Sequence, residues 1–377
     1  MATILGLKGT GKFATGERPE DWHSGILYLW PMGKAPLLAL MSKARKEKAS
    51  DWHIHWFEQD LAATREIPAA DINSYNTTSL NVTFDSVKPV KVGSILKQAY
   101  QTSNTNAVTI ILTGKISDKK WSFSVVDGTK TDLSTSKPLT ILGSAHNEGA
   151  VLPEAFSIQP ATQETYCQIF RTPVKISRTA SKTTLRTGNA IANEKKNALH
   201  YIGMDIEASM FHGKGSSSEP RMMKSIFELL KGAGLVTYGI SSLTDFWSIL
   251  EKVFAYGSNE KIAFVGSTAV KKLVTLVEGK IATPAPVDLY GITLTKWVTP
   301  WGTLFFKPHP LFTANTEWTQ DMVILDMAHL SYCYIDDITY KDYKDAAGYD
   351  AVIGEYLAEV AIRLDSLKAH HFVCNIS

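Results

Sequence analysis

Residues 187–213 read TGNAIANEKKNALHYIGMDIEASMFHG, and apolar side chains recur along this run every three or four residues. The repeat comprises Ile191, Ala198, Leu199, Ile202, Ile206 and Met210. Charged residues take other positions: Glu194, Lys195, Lys196 and Asp205. Because this spacing places side chains on one face of an α-helix, the run predicts one long amphipathic helix. Gly213 and Gly215 predict its end, since glycine adopts the left-handed conformation that terminates many helices.

The sequence before this helix has a different character. No arginine occurs between Arg65 and Arg171 and no glutamate between Glu66 and Glu148, while Ser, Thr, Val and Ile dominate. Short runs rich in β-branched residues lie between turn signals at 79–84, 107–112 and 121–126. Such runs are typical of strands, so an all-β segment is predicted from about residue 70 to 145.

After the long helix, the pattern alternates between helix and strand. Helices are predicted at 222–231, 243–256 and 267–278, and Ser242 with Asp245 forms a capping-box pattern. Residues 289–299 and 303–307 flank Pro300-Trp301-Gly302 and predict a β-hairpin. Further strands are predicted at 262–265, 322–326, 330–335, 355–364 and 372–376. Together these elements predict an α+β fold.

Composition limits the possible classes of protein. The chain has 377 residues, of which 44% are hydrophobic and 20% charged, as in a globular protein of two or three domains. Thirty-nine Lys and Arg nearly balance 37 Asp and Glu, which excludes the strongly basic surface of many nucleic-acid-binding proteins. The distant cysteines Cys167, Cys333 and Cys374 predict no disulfide framework. Without a signal-like or membrane-spanning apolar run, a soluble chain made in the cytoplasm is expected.

One motif resembles a nucleotide-binding loop. Residues 6–12, GLKGTGK, satisfy G-x-x-x-x-G-K, in which backbone amides surround phosphates. Phe13 follows where Ser or Thr would bind magnesium, and only five residues precede Gly6, too few for a core strand with its partners. The segment is better interpreted as a basic N-terminal arm, with a nucleotide-binding enzyme as the remote alternative.

The sequence predicts no catalytic residue, cofactor or metal. Trp52-His53-Ile54-His55-Trp56 would place two imidazoles on one strand face, but no third ligand is expected nearby, so packing or an interface is favoured. His370 and His371 would point to opposite faces of a strand, and the acidic run at 336–350 lacks the spacing of a calcium loop. No GxSxG motif or cysteine nucleophile signature occurs.

Aromatic residues point instead to association. Four of the nine tryptophans lie within the first 60 residues, where there is little room for a separate core. Their side chains must therefore be buried against the rest of the fold or against a neighbouring subunit. The candidate inter-subunit contacts are Trp22, Trp30, Trp52, Trp56, Phe57, Arg171, Arg178 and Trp301.

The order of these segments resembles the major capsid proteins of tailed bacteriophages with the Hong Kong 97-type fold. An aromatic arm, a β-rich extension, one long helix, a mixed α/β region and terminal strands follow one another. Several segments are similar to one branch of that family: 36–40 (PLLAL), 56–58 (WFE), 148–156 (EGAVLPEAF), 166–171 (YCQIFR), 220–223 (PRMM) and 364–376.

The resemblance implies a division of the chain into capsid domains. Residues 1–45 would be the N-terminal arm, and 46–165 the extended loop with its β-rich insertion. Residues 166–221 would be the peripheral domain with the spine helix, 222–320 the mixed α/β axial domain, and 321–377 the strands that return to the peripheral domain.

The resemblance also implies a structural function without enzymatic activity. The chain would assemble with itself into pentamers and hexamers of an icosahedral shell enclosing double-stranded DNA, without sequence specificity and without a membrane. Too few residues precede the extended loop for a cleaved scaffolding region, so a separate scaffolding protein is expected. A portal protein would be a partner, a decoration protein an optional one. The product would be a virion capsid assembled in the host cytoplasm; an encapsulin-like nanocompartment shell is the alternative.

Overall fold

The computed structural model describes residues 36–43, 45–60, 65–98, 107–155, 157, 159–184, 188–277, 285–289, 292–343 and 350–376. Two compact units divide the chain. The first, here the main unit, comprises Met1–His55 and Glu164–Ser377, and the second, the β unit, comprises Trp56–Gln163. Trp22, Trp30 and the Gly6 to Lys12 motif lie outside the described residues.

The β unit contains a seven-stranded sheet in which every neighbouring pair is antiparallel. Its order is β3 (Glu66–Ile67), β9 (Leu139–Ser144), β6 (Ser94–Gln98), β7 (Thr109–Ser117), β8 (Lys120–Asp127), β5 (Asn81–Phe84) and β4 (Ile72–Asn76). Alternate residues are buried along β5 and β6, as expected for strands with one face on a core. That core includes Val82, Phe84, Leu96, Trp121 and Phe123. The prediction of an all-β segment agrees with these strands.

Strand β2 (His53–Glu58) pairs with β10 (Ala161–Tyr166) in a separate two-stranded sheet. The main unit then builds a four-stranded sheet in the order β1 (Arg45–Lys48), β18 (Leu330–Tyr343), β19 (Ala351–Leu364) and β11 (Gln168–Ser177). Helix α3 (Ala190–His212) packs on β11 and β19 of this sheet. The long helix is therefore confirmed, and β19 begins four residues before the predicted strand.

The main unit also contains a seven-stranded mixed sheet. Its order is β12 (Val236–Tyr238), β20 (His371–Cys374), β17 (Met322–Leu325), β13 (Glu260–Val265), β16 (Thr303–Pro308), β15 (Ile292–Val298) and β14 (Ala285–Leu289). Strands β15 and β16 form the predicted hairpin. The α+β class is confirmed by this combination of sheets and helices.

The remaining α-helices of the described residues lie in the main unit. They are α1 (Pro36–Lys43), α2 (Arg178–Lys182), α4 (Ile226–Gly232), α5 (Leu243–Phe254), α6 (Ser267–Val277) and α7 (Pro310–Ala314). The predicted capping box is present in α5, where Ser242 and Asp245 satisfy each other's backbone N–H groups. Buried residues of α5 and α6 share a core with the mixed sheet.

Two sequence expectations about helix ends are wrong. Helix α4 begins at Ile226 rather than Met222, because Ser225 caps it and Met222 instead bridges to Ser216. Gly213 ends α3 with an extended backbone (φ −60°, ψ 156°) and not in the left-handed conformation. Its glycine identity has another physical reason, since a Cβ there would lie 2.5 Å from the carbonyl oxygen of Ser209.

A buried carboxylate joins three elements of the main unit. Glu207 of α3 is fully buried, and its Oε1 accepts a hydrogen bond from the Leu37 backbone N–H of α1 (2.6 Å). The same oxygen faces Nε2 of buried His309 at 2.8 Å. Because Nδ1 of His309 accepts from the Leu311 N–H, the ring proton lies on Nε2, which donates to Glu207. Glu207 thus caps the first turn of α1 and holds it against the long helix.

A second polar cluster lies where Lys261 of β13 meets Asp326, the residue that follows β17. The buried Lys261 ammonium donates to Asp326 Oδ2 (3.2 Å) and to the Tyr256 and Ala369 carbonyls. Burial lowers the pKa of Lys261. Burial alone would raise the pKa of Asp326, but the Ser258 N–H and the Lys261 charge together keep the pKa of that carboxyl lowered. Nδ1 of fully buried His370 accepts from the Asp326 N–H, and burial, reinforced by Lys261, lowers its pKa to about 4.

We predict that Glu207→Ala lowers the free energy of unfolding by about 3–5 kcal/mol, because the Leu37 N–H and the His309 Nε2–H would remain buried without an acceptor. Glu207→Gln keeps one acceptor oxygen and is expected to cost less. Urea denaturation of the unassembled subunit measures both. Glu194→Ala, at an exposed position of the same helix, is the control; equal stability of the Glu194 and Glu207 alanine variants would contradict the proposed cap.

Acid is expected to destabilise the main unit between pH 6.5 and 4. Burial lowers the pKa of His212, His370 and His371 to about 4, so the unfolded chain binds protons first and stability falls as the pH drops through this window. Burial raises the pKa of Asp321 to about 6. This carboxyl therefore favours the folded state as the pH falls, but it is one group against three histidines.

His370→Asn tests this pH dependence, because the Asn oxygen can still accept from the Asp326 N–H but does not titrate. We expect the loss of unfolding free energy between pH 6.5 and 4 to shrink by about 3 kcal/mol relative to the parent. His146→Asn, at an exposed position, should leave that loss unchanged. An identical pH dependence in all three proteins would exclude His370 as a contributor.

Candidate inter-subunit surfaces

Trp52 is half-buried within its own subunit. It contacts a small core around Cys167, and its carbonyl accepts from the Cys167 N–H (2.8 Å). Its ring stacks on His53, with centroids 5.2 Å apart, and the Arg221 guanidinium lies 5.1 Å from the ring centre. Intramolecular packing therefore accounts for much of the Trp52 surface, one of the two outcomes that the sequence left open.

Trp56 and Phe57 are neighbours with very different exposure. Trp56 is half-buried, and its Nε1–H donates to Glu58 (3.2 Å). Phe57 leaves 71% of its surface exposed. Because successive side chains of a strand point to opposite faces, β2 keeps Trp56 partly covered while it presents Phe57 to solvent. Phe57 is the better candidate for an intermolecular contact.

Arg171 and Arg178 both have acidic partners in their own chain. Arg171 donates from Nε and Nη2 to Glu355 at 2.8 Å each, a bidentate pair that Tyr343 completes by donating to the same carboxylate. The Arg171 bonds lower the pKa of Glu355. Arg178 pairs with Asp350 at 2.6 Å. Both guanidinium groups remain largely exposed, so each presents a positively charged edge despite its internal bond.

Trp301 lies in the hairpin loop between β15 and β16. It is half-buried against the core of the mixed sheet and meets Trp247 edge-on, with ring centroids 5.6 Å apart. The loop is held by Thr299, whose hydroxyl donates to the Gly302 carbonyl (2.6 Å). A Cβ on Gly302 would lie 2.5 Å from the Phe254 ring, so the tight turn requires glycine. Trp247 and Trp301 together form an aromatic pair at the surface of this region.

Sequence reasoning missed the most exposed apolar side chains of the described residues. Val151 and Leu152 leave 89% and 92% of their surfaces exposed, in a stretch of the β unit without regular structure. Two adjacent apolar residues in full contact with water indicate an interaction segment better than scattered exposed residues do. Their only signal in the sequence is that both belong to the family-like stretch 148–156. That signal is weak, because no periodicity marks either residue as exposed.

The HxH pair has a third partner that is distant in sequence. His53 Nε2 lies 3.0 Å from Glu164 Oε2, and the ligand atoms of His53, His55 and Glu164 all lie within 4.8 Å of one another. Glu164 Oε1 accepts from Lys224 Nζ and from the Tyr166 hydroxyl, both at 2.9 Å. Lys224, then His53 and Tyr166, lower the pKa of Glu164 to about 2. The expectation that the pair lacks a nearby third ligand is therefore wrong, because Glu164 lies beside it in the fold although it is distant along the chain.

No helix among the described residues combines the length and apolarity needed to cross a bilayer.

A comparison with protein families identifies the class of this chain. A family model described as SU10 major capsid protein matches residues 8–377. The chain belongs to this family. It is accordingly a component of a phage capsid that associates with itself, and the resemblance stated from the sequence is confirmed.

One curated relative supports the family assignment. The "Major capsid protein" of Pseudomonas phage PaMx41 is 22% identical over 402 aligned residues, which cover 94% of this chain and 93% of that protein. This chain and the PaMx41 protein therefore align over nearly their whole lengths.

Solved structures similar to this SU10-family protein include two from phages. The structure from Microbacterium phage Oxtober96 is 11% identical, with a TM-score of 0.49, and the match covers 98% of this chain and 99% of that one. The structure from Mycobacterium phage Adephagia is 11% identical, with a TM-score of 0.49, and the match covers 97% of each chain. The holo-SrpI encapsulin complex of Synechococcus elongatus PCC 7942 is 12% identical with a TM-score of 0.44, and the match covers 58% of this chain and 76% of that one.

The two candidate arginines can be separated by experiment. Arg178→Ala removes an ion pair exposed on both sides, so we expect no measurable change in subunit stability. Arg171→Ala removes two charge-assisted bonds from Glu355 and is expected to lower the melting temperature of the subunit.

Particle yield of the same variants then tests the contact prediction. Because Arg178→Ala leaves folding unchanged, a lower yield of particles would report directly on an inter-subunit contact. Wild-type yield would remove Arg178 from the candidate contacts. Lys182→Ala, in the same short helix, is the matched control for loss of a positive charge.

Proposed function

We propose that this capsid protein forms pentamers and hexamers of a closed icosahedral shell around double-stranded DNA, with a Hong Kong 97-type subunit fold. Family membership supports the capsid role, and the exposed apolar residues of the β unit support a subunit that is completed by its neighbours. Contacts that are individually weak become cooperative when rings close into a shell.

The observation that carries the assembly proposal is the exposure of Val151 and Leu152. Their surfaces are almost entirely open to water in the single chain. We assign a second copy of this chain as their occupant, because members of a capsid family associate with copies of themselves. In this proposal, residues 46–165 act as the extended loop, and burial of Val151 and Leu152 against a neighbouring copy stabilises the assembled shell.

The domain assignments remain part of the same proposal. The N-terminal arm at 1–45, the peripheral domain at 166–221 and 321–377, and the axial domain at 222–320 rest on the family resemblance. The aromatic pair Trp247 and Trp301 then belongs to the axial domain, a region that would face other subunits of the same ring.

The proposed partners follow from the capsid role. A scaffolding protein and a portal protein are expected during assembly in the host cytoplasm, and a decoration protein is an optional addition. We propose a purely structural protein without enzymatic activity. A net charge of +2 suits a wall that encloses DNA with few phosphate contacts, since each such contact adds salt-dependent affinity.

We predict that the double variant Val151→Asp/Leu152→Asp folds normally but lowers particle yield at least about tenfold, because two carboxylates would have to be buried at the interface. Circular dichroism tests folding, and electron microscopy with light scattering tests assembly. The control Thr135→Asp/Ser136→Asp adds the same charge at exposed polar positions of the same unit. Particles at the parental yield from the first variant would contradict the proposed contact.

A further inference from the structure

The cluster of His53, His55 and Glu164 offers a metal-binding donor set at a defined place in the chain. His53 and His55 are two residues apart on β2, so their rings share one face, and their centroids lie 3.8 Å apart. Glu164 projects from β10, the partner of β2, and reaches His53. Two imidazoles and one carboxylate are the ligands that zinc takes in sites with one position open for water.

The distances are close to those that a metal requires. Zinc bonds of about 2.0–2.1 Å place tetrahedral ligand atoms about 3.3 Å apart. The His53 to Glu164 distance of 3.0 Å already satisfies this, and the farthest pair in the cluster is separated by no more than 4.8 Å. His55 is exposed and has no hydrogen-bonded partner among the described residues, so rotation of its ring can close the remaining gap.

Neighbouring side chains orient the ligands. Tyr166 and Lys224 both donate to Oε1 of Glu164, which leaves Oε2 directed at His53 as a single metal-binding oxygen. The His53 ring contacts both Trp52 and Tyr166, with centroid distances of 5.2 and 4.9 Å. Such outer contacts fix the orientation of metal ligands and raise affinity. The Lys224 charge opposes cation binding, which favours a moderate rather than an extreme affinity.

We propose that His53, His55 and Glu164 bind one divalent transition-metal ion of the zinc class, with water in the open position. The ion would take the place of the hydrogen bond between His53 and Glu164 and would cross-link β2 to β10. His55 is the last residue of the main unit before the chain enters the β unit, and Glu164 is the first residue after it returns. The metal would therefore join the two strands by which the chain leaves and re-enters the main unit.

Calorimetric titration of zinc into the full-length, tag-free chain, freed of metal with a chelator, tests this proposal. We expect one ion per chain and a rise in melting temperature on binding, because a ligand of the folded state stabilises it. His55→Ala is the most informative variant, since this exposed ring contributes little packing, and it should weaken binding at least about tenfold. Glu164→Gln should do the same.

The controls are His146→Ala and Glu154→Gln, which change an exposed histidine and an exposed carboxylate elsewhere in the chain. Both should bind zinc as the parent does. Cobalt substitution provides a second readout, because a four-coordinate site gives strong visible absorption that the His55 variant should lose. Zinc binding that persists undiminished in the His55 and Glu164 variants, or the absence of saturable binding to the parent, would overturn the proposal.

Discussion

The position of helix α1 in the main unit depends on one buried carboxylate, that of Glu207. Glu207 lies in the C-terminal half of the long helix α3 and receives hydrogen bonds from the first turn of α1 and from His309 just before α7. A buried anion must keep its donors, so these elements cannot separate without a large cost. Directly after α1, β1 pairs in parallel with β18, and that pairing is thereby held in register from Arg45 onward. The four-stranded sheet is thus fixed to the long helix at its N-terminal edge.

The buried charged side chains of the described residues all lie in the main unit. The main unit buries Glu207, Lys261, Asp326 and His370 and pairs each of them internally, which specifies one arrangement of helix and sheet. The β unit has a core of apolar side chains from a single sheet and exposes Val151 and Leu152 to water. Val151 and Leu152 are the most exposed apolar residues of the described chain, and an uncovered apolar pair of this kind marks an interaction surface.

Local patterns in the sequence predicted local structure well. The apolar repeat in α3, the capping box at Ser242 and the turn at Pro300-Trp301-Gly302 all depend on neighbours within a few residues, and all are present. Features that depend on distant residues were missed. The partner of the HxH pair, Glu164, follows 109 residues after His55, and Leu37 is separated from Glu207 by 170 residues. Even the reason for Gly213 lies outside the local pattern: a Cβ there would clash with the Ser209 carbonyl, and the backbone does not take the left-handed conformation.

The candidate contacts illustrate why residue type alone does not locate an interface. Trp52 was singled out because tryptophans crowd the first 60 residues, yet its ring is partly covered by Arg221 and by the Cys167 core of its own chain. Arg171 was also among the candidate contacts, yet two of its donors already serve Glu355. Val151 and Leu152 have no such internal partners in the β unit's core. Burial of apolar surface is the main favourable term in association, so side chains that folding leaves uncovered gain most from a neighbouring copy.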